Sequence, residues 1–128
     1  MEELSVKRLM STDLVTIGPG ISAADAATRM LETGVSSLLV VDTNDNLVGL
    51  ITARDFVSLV RENDPKDETP VEAFMTRDVV TVDPNDTLEE LAEPTAHGYT
   101  HLPVVDDSGG LIGMVSTTDL TAYLSENR

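Results

Sequence analysis

Val6 to Pro19 reads VKRLMSTDLVTIGP, and Val71 to Pro84 reads VEAFMTRDVVTVDP. The two stretches align without a gap at an offset of 65 residues, and Met10 coincides with Met75. Self-similarity at a fixed spacing is the signature of an internal repeat. The chain of 128 residues is therefore interpreted as two copies of one unit.

The similarity continues to the end of each copy at an offset of 64, because the second copy lacks one residue. Matching positions are Gly34/Gly98, residues 40–42/104–106, Leu47/Leu111, Gly49/Gly113 and Asp55/Asp119. Residues 61–70, RENDPKDETP, are charged, contain proline and have no apolar period, which is typical of a linker. We assign residues 1–62 to the first copy, 63–70 to the linker and 71–128 to the second copy.

The pattern within each copy predicts the order strand, helix, strand, strand, helix. A short β-rich run, residues 14–17 or 79–82, ends at a proline turn and is the first strand. Two apolar runs separated by a polar turn then form a hairpin. The paired runs are 38–41 with 47–51 in the first copy, and 102–105 with 111–115 in the second.

The helices are predicted from apolar residues at helical spacing. In the first copy Ser22 is the predicted N-cap and Gly34 the C-terminal stop. The counterpart helix starts at Thr87 and contains Pro94, which should kink it. The predicted apolar faces are Ala23, Ala27, Met30 and Leu31; Leu88, Leu91 and Ala92; Phe56, Leu59 and Val60; and Leu120, Tyr123 and Leu124.

A copy of roughly 60 residues buries too little surface to be comfortably stable alone. The predicted fold class is therefore α/β (α+β), with two β-α-β-β-α repeats packed sheet to sheet about a pseudo-twofold axis. Methionines such as Met10 and Met75 lie at apolar positions and are interpreted as core residues.

The composition excludes several classes of function. The chain has 23 Asp and Glu against 8 Lys and Arg, for a net charge of -15, so nucleic acid and acidic membranes are not expected partners. There is no cysteine, and no apolar stretch long enough to span a membrane. Met1-Glu2-Glu3 lacks the features of a secretory signal, so we expect a cytoplasmic protein. The low-lysine, acidic surface is similar to that of proteins from salt-rich cytoplasms.

The second strand of each hairpin ends in the same motif, Gly-h-h-Thr/Ser-x-x-Asp, where h is apolar. It runs from Gly49 to Asp55 and from Gly113 to Asp119. A helix start offers free backbone N–H groups that can bind an anion, and a carboxylate can accept hydrogen bonds from a ribose diol. The same residues also fit a helix-capping arrangement without any ligand, and duplication copies caps and binding sites alike.

The ordered motifs T-[IV]-x-P, G-[VY]-[ST]-x-L-x-V-V-D and G-h-h-[TS]-x-x-D resemble those of a stand-alone tandem pair of cystathionine-beta-synthase (CBS) domains, also called a Bateman module. The resemblance covers nearly the whole chain. It implies a regulatory, non-catalytic module that forms a homodimer. Such a module binds an adenosyl compound, AMP, ADP, ATP or S-adenosylmethionine, in clefts between the repeats.

The resemblance also implies roles for individual residues. Asp55 and Asp119 would hold the ribose hydroxyls, and first-strand residues of the opposite copy would flank the adenine. This places Val80, Thr81 and Val82 near Asp55, and Val15, Thr16 and Ile17 near Asp119. The residues expected beside the phosphate or at the cleft edge are Thr52, Arg54, Ser116, Thr117, Tyr99, Thr100, His101 and Pro103.

The two copies differ in this region. The second reads GYTHLP from Gly98, close to the family pattern, whereas the first reads GVSSLL from Gly34 and lacks the proline. Arg54 has no basic counterpart in the second motif. We expect two unequal clefts, and the sequence leaves open which one is occupied.

The sequence is compatible with three classes of function. The first is sensing of an adenosyl ligand, with a regulated protein as a possible partner and no cofactor required. The alternative is a ligand-free dimerisation or docking module. An enzyme is ranked last, because no nucleophile, base and orienting group share a motif. His97 and His101 are four residues apart, but Gly98 and Pro103 interrupt a helix there, so no metal site is predicted.

Overall fold

Each copy contributes one antiparallel hairpin, flanked by helices, to a mixed helix-and-strand fold. The computed structural model describes residues 4–61 and 67–126. The helices are α1 (Val6–Leu9), α2 (Ala23–Thr33), α3 (Ala53–Arg61), α4 (Ala92–Ala96) and α5 (Thr117–Glu126). The strands are β1 (Thr16–Ile17), β2 (Ser37–Val41), β3 (Leu47–Thr52), β4 (His101–Val105) and β5 (Leu111–Ser116). Short 3-10 turns occupy Val71–Ala73 and Leu88–Leu91.

Both hairpins were predicted correctly, and they share one irregularity. The pairing Val40–Gly49 is followed by Val41–Leu47, so β3 carries a bulge at this point. The second hairpin repeats it, with Val104 opposite Gly113 and then Val105 opposite Leu111. A bulge increases the local twist of a hairpin. Its repetition indicates that the duplicated sequence encodes the detailed shape of the hairpin.

The first strand of each copy is shorter than predicted. β1 has two residues and runs parallel to β2, and in the second copy only Val82 bridges to Val104. Leu39 donates a backbone hydrogen bond of 3.0 Å to Val15. The equivalent residue in the second copy is Pro103, which has no N–H to donate. The proline therefore removes one bond that would lengthen this strand.

An aspartate closes each hairpin turn. The Oδ1 atom of Asp42 accepts bonds of 2.9 Å from the backbone N–H groups of Asn44 and Asn46. Asp106 accepts equivalent bonds from Ser108 and Gly110. The backbone N–H of Asn46 is the largest influence that lowers the pKa of Asp42, and the Ser108 side chain is the largest that lowers the pKa of Asp106.

The double variant Asp42→Asn and Asp106→Asn tests these turns, because asparagine keeps the shape of a protonated aspartate. A carboxylate whose pKa is lower in the folded state stabilises the fold above its unfolded-state pKa, near 3.8, and loses this effect as the pH falls through the folded-state value. We expect the wild type to be more stable at pH 7, and the difference to shrink below about pH 4. Urea unfolding at a series of pH values measures this difference in stability between the wild type and the variant. A difference independent of pH would contradict the prediction.

The predicted caps of α2 are confirmed, but part of its apolar face was wrong. The backbone N–H of Asp25 donates 3.1 Å to the Ser22 hydroxyl, and Gly34 ends the helix with φ of 72°. Ala26 is buried, whereas Leu31 is 83% exposed. The buried face of α2 is narrower than the sequence predicted: it contains Ala23 and Ala26, which are three residues apart and adjacent on the helix surface, but not Leu31. The same error applies to Val60 of α3, which is 64% exposed.

The predicted helix from Thr87 toward Gly98 is divided into two short segments rather than kinked. Leu88–Leu91 is a 3-10 turn, and α4 follows it directly. Pro94 therefore lies in the first turn of α4, where a backbone N–H has no partner within the helix. The division places the proline where it breaks no hydrogen bond.

The segment that leads each copy packs against the hairpin of the other copy. Ser11 and Met114 exchange two backbone hydrogen bonds of 2.8 and 2.9 Å. Thr76 and Leu50 exchange an equivalent pair of 2.8 and 2.9 Å. The helical turns in these segments, α1 and Val71–Ala73, were not predicted from the sequence.

The compact units of the structure therefore differ from the copies in the sequence. One unit extends from Val15 to Asp78, and the other joins the beginning of the chain, up to Leu14, to the stretch from Val79 onward. Each has its own core. In the first the core includes Ile17, Ala26, Leu38, Val40, Ile51, Val71 and Met75, and in the second Val6, Val82, Leu91, Leu102, Val104 and Val115. The assigned linker, residues 63–70, falls partly outside the described residues.

Candidate functional site

The first Gly-h-h-Thr/Ser-x-x-Asp motif forms a closed network at the start of α3. The Oδ2 atom of Asp55 accepts bonds from the backbone N–H of Thr52 at 2.8 Å and from its hydroxyl at 3.3 Å. Oδ1 accepts a bond of 2.8 Å from the hydroxyl of Thr76. Both carboxylate oxygens are therefore occupied by the protein itself.

The second motif is more open. The Oδ2 atom of Asp119 accepts a bond of 3.0 Å from the backbone N–H of Ser116, and the Asp119 N–H donates 3.1 Å to the Ser116 hydroxyl. Among residues 4–61 and 67–126, no group donates to Oδ1 of Asp119. The carboxylate is half-buried at the start of α5. It retains an oxygen that can accept hydrogen bonds from a ligand.

Thr76 was missed by the sequence analysis. It corresponds to Ser11 at the offset of 65, and both follow a methionine and carry a hydroxyl. In the structure Thr76 donates to Asp55, whereas the Ser11 hydroxyl accepts a 3.4 Å bond from Asp13. The presence of a hydroxyl at this position in both copies could have indicated a functional residue, but the sequence could not show which aspartate each hydroxyl would approach.

The space beside each motif glycine is filled by other residues of the protein. A β-carbon on Gly49 would lie 2.6 Å from the Met75 sulfur and 3.0 Å from the Thr76 carbonyl oxygen. A β-carbon on Gly113 would meet the Met10 sulfur and lie 3.1 Å from the Ser11 carbonyl oxygen. Glycine within a strand permits another backbone to approach closely. The segment that approaches is the leading segment of the other copy.

Three surface cavities include residues that the sequence analysis assigned to ligand binding. A cavity of about 400 Å³ is lined by Val80, Glu93, Pro94, His97 and Tyr99. A second, of about 330 Å³, is lined by Thr117, Thr118, Thr121 and Ala122. A third, of about 420 Å³, is lined by Thr16, Ile17, Gly18, Pro19, Val41, Asp42 and Thr43. The first two lie in the unit that contains Asp119, and the third in the unit that contains Asp55.

The other assigned residues vary in accessibility. Pro103 and Val82 are buried, whereas Thr81, Thr100 and Arg54 are exposed. The Thr100 carbonyl accepts a bond of 3.0 Å from the backbone N–H of Thr117, and this bond joins two of the assigned residues. His101 is half-buried, and its Nδ1 atom lies 3.1 Å from the Thr100 hydroxyl. Thr100, His101, Ser116 and Thr117 are therefore neighbours at the start of α5.

Two negative findings concern the described part of the chain alone. It contains no group of three or more His, Asp or Glu side chains placed to hold a metal ion. None of its helices is long and apolar enough to cross a membrane.

Residues 6–62 and 71–126 each match the model of the CBS domain. This chain belongs to the CBS domain family. An uncharacterized 17.7 kDa protein of Acidianus ambivalens is 36% identical over 121 residues, which are 93% of this chain and 72% of that protein. The crystal structure of the CBS domain pair of protein MJ0100 contains 5′-methylthioadenosine and S-adenosyl-L-methionine. It is similar with a TM-score of 0.89 and 26% identity, over 99% of this chain and 100% of that one.

Several relatives of this CBS domain pair are much longer proteins. The chain spans 25% of inosine-5′-monophosphate dehydrogenase of Nitrosopumilus maritimus, with 36% identity. It spans 24% of homoserine O-acetyltransferase of Methanohalobium evestigatum, with 34% identity. Segments similar to this chain thus occur within proteins that are named for different reactions.

Proposed function

We propose that this CBS domain pair is a regulatory module that binds an adenosyl compound and performs no catalysis itself. The observation that carries the proposal is its likeness, over 99% of its length, to a CBS domain pair crystallised with 5′-methylthioadenosine and S-adenosyl-L-methionine. A module shared by a dehydrogenase and an acetyltransferase is better explained by regulation than by one chemistry. Its partners would be a second copy of the chain and a regulated protein.

Asp119 is the better candidate for holding the ribose. Its Oδ1 atom accepts no bond within the described residues, so it can receive a ribose hydroxyl without breaking an existing contact. Ser116 and Thr117 follow the end of β5 and offer hydroxyls for the group that trails the ribose. Their position at the beginning of α5 also favours electron-rich atoms, because the helix dipole is positive there.

Asp55 would bind a ribose at greater cost. A ligand hydroxyl would have to share Oδ1 or Oδ2 with Thr76 or Thr52. The contacts of the first motif therefore favour a structural role for Asp55, which is what the ligand-free alternative predicts for this motif. The family roles of Thr16, Ile17, Arg54, Thr81 and Val82 stay predictions.

Thermal unfolding with added ligands tests the proposal. Stabilisation by a ligand at about 100 times its dissociation constant is about 2.7 kcal/mol, which raises the melting temperature by several degrees. We expect this shift with at least one of AMP, ADP, ATP, S-adenosylmethionine and 5′-methylthioadenosine in high salt, with guanosine as the control. The absence of a shift with every adenosyl compound would instead favour the docking module.

A regulatory effect also requires two conformations. A ligand shifts their equilibrium only by the difference between its affinities for the two states. A ligand that stabilises the fold but leaves a regulated partner unaffected would therefore be a structural ligand and not a signal.

A further inference from the structure

Lysine and arginine are absent from most of the second copy, in which Arg77 and Arg128 lie near the two ends. Residues 79–126 include no lysine or arginine. The same stretch contains nine carboxylates, which are Asp83, Asp86, Glu89, Glu90, Glu93, Asp106, Asp107, Asp119 and Glu126. The better ribose candidate, Asp119, thus belongs to a strongly anionic part of the protein.

The residues that line the cavities also include carboxylates. Within residues 4–61 and 67–126, no lysine or arginine lines any of the three cavities described above. Glu93 lines the cavity beside Val80 and Tyr99, and Asp42 lines the cavity beside Thr16. Hydrogen bonds from Asn46 and Asn44 lower the pKa of Asp42, which keeps this carboxylate ionised. Lys7 and Arg8, the described cations in the same unit as Asp119, line none of these cavities.

The second motif offers a phosphate no lysine or arginine side chain, and His101, which pairs with Ser116, is counted as neutral in the net charge of -15. Ser116, Thr117 and Thr118 supply hydroxyls, and the backbone supplies N–H groups. A phosphate monoester carries about -1.5 to -2 charges at pH 7. The excess of carboxylates in residues 79–126 would repel this group, and the same stretch contains no lysine or arginine to form the ion pair that tight phosphate sites commonly contain. A ligand without negative charge avoids this repulsion and can still use the hydroxyls.

Resting on the proposed function, we infer that the ligand is an adenosyl compound without net negative charge, a 5′-thioether or sulfonium of adenosine rather than an adenine nucleotide. The ribose diol is the part shared by all these compounds, and Asp119 serves it in each case. Discrimination would arise at the 5′ substituent, because the excess of carboxylates in residues 79–126 attracts a sulfonium, repels a phosphate and has little effect on a neutral thioether.

Isothermal titration with 5′-methylthioadenosine, S-adenosylmethionine and AMP at a series of KCl concentrations tests the inference. Circular dichroism establishes at which of these concentrations the chain is folded. At the lowest KCl concentration at which it is folded, we expect 5′-methylthioadenosine and S-adenosylmethionine to bind at least ten times more tightly than AMP. The Debye length falls from about 10 Å at 0.1 M salt to about 3 Å at 1 M. The affinity for AMP should therefore rise with KCl, while that for neutral 5′-methylthioadenosine changes less.

Glu93→Gln and Glu89→Gln form a matched pair of charge variants. Both remove one negative charge, but only Glu93 lines the cavity with Tyr99. We expect Glu93→Gln to raise the affinity for AMP relative to 5′-methylthioadenosine by about two- to fivefold, and Glu89→Gln to change the ratio less.

The possible outcomes distinguish an error in the ligand class from an error in the proposed function. AMP binding as tightly as 5′-methylthioadenosine at the lowest salt would overturn the inference and leave the proposed function supported. No binding by any of the three probes at any salt concentration would overturn the proposed function as well. An AMP affinity that falls with KCl would also contradict the inference, because it would reveal attraction where repulsion is expected.

Discussion

Gly49→Ala is expected to lower the free energy of unfolding by about 1–3 kcal/mol, the usual effect of overpacking a filled position. The added β-carbon would lie 3.0 Å from the carbonyl oxygen of Thr76, which cannot withdraw without disturbing its two backbone hydrogen bonds to Leu50. Met75 could turn aside, but it is 8% exposed and belongs to the core. Urea unfolding measures the change in free energy, and thermal melting should show a decrease of several degrees in the melting temperature.

Gly20→Ala is the matched control, because a β-carbon there meets no atom within 4 Å. We expect its stability to remain within about 0.5 kcal/mol of the wild type, as for most surface changes. Gly113→Ala should resemble Gly49→Ala, since its β-carbon meets Met10 and Ser11 in the same way. Equal stabilities for Gly49→Ala and Gly20→Ala would show that the leading segment does not pack closely against β3.

Asp119→Asn is expected to reduce the affinity for 5′-methylthioadenosine by about 10- to 100-fold, whereas Asp55→Asn should change it much less. A hydrogen bond to a charged group contributes about 1.5–3 kcal/mol, and only Asp119 has a carboxylate oxygen that is unoccupied within the described chain. The two substitutions are chemically identical and lie at equivalent positions of the copies. Isothermal titration in high salt compares them directly.

Asp55→Asn should instead show its effect on stability. The amide retains one acceptor for Thr52 or Thr76 but replaces the other oxygen by a donor. We expect a loss of about 1 kcal/mol, similar to the loss of a helix cap. The reverse result, with binding lost in Asp55→Asn and kept in Asp119→Asn, would transfer the ribose site to the first motif.

Local sequence patterns predicted the secondary structure well. The hairpins, the N-cap at Ser22 and the terminal glycine of α2 depend on neighbouring residues, which a pattern records directly. The length of the first strand in the second copy depends on Pro103, a residue in a different strand. Leu31 was misplaced because an apolar residue at helical spacing is not necessarily buried.

The exchange of the leading segments could not be predicted from the repeat. The alignment shows that Ser11 corresponds to Thr76, but both an exchanged and an unexchanged pairing preserve that correspondence. The different environments of Asp55 and Asp119 have the same origin, because the Thr76 hydroxyl arrives with the exchanged segment. The sequence predicted two unequal clefts from the difference between GVSSLL and GYTHLP and from Arg54. The contact of Thr76 with Asp55 is a further difference between the copies, and it depends on long-range packing that the sequence did not show.

The exchange also restricts how such a protein could have arisen from a single repeat. If a single copy kept the pairing seen here, its leading segment would pack against the hairpin of a second chain, and two chains would exchange segments to complete their units. Joining the copies end to end makes each trade intramolecular and replaces a dependence on protein concentration by a high effective concentration. With the two copies in one polypeptide, a single chain supplies both the hairpin and the leading segment of each unit.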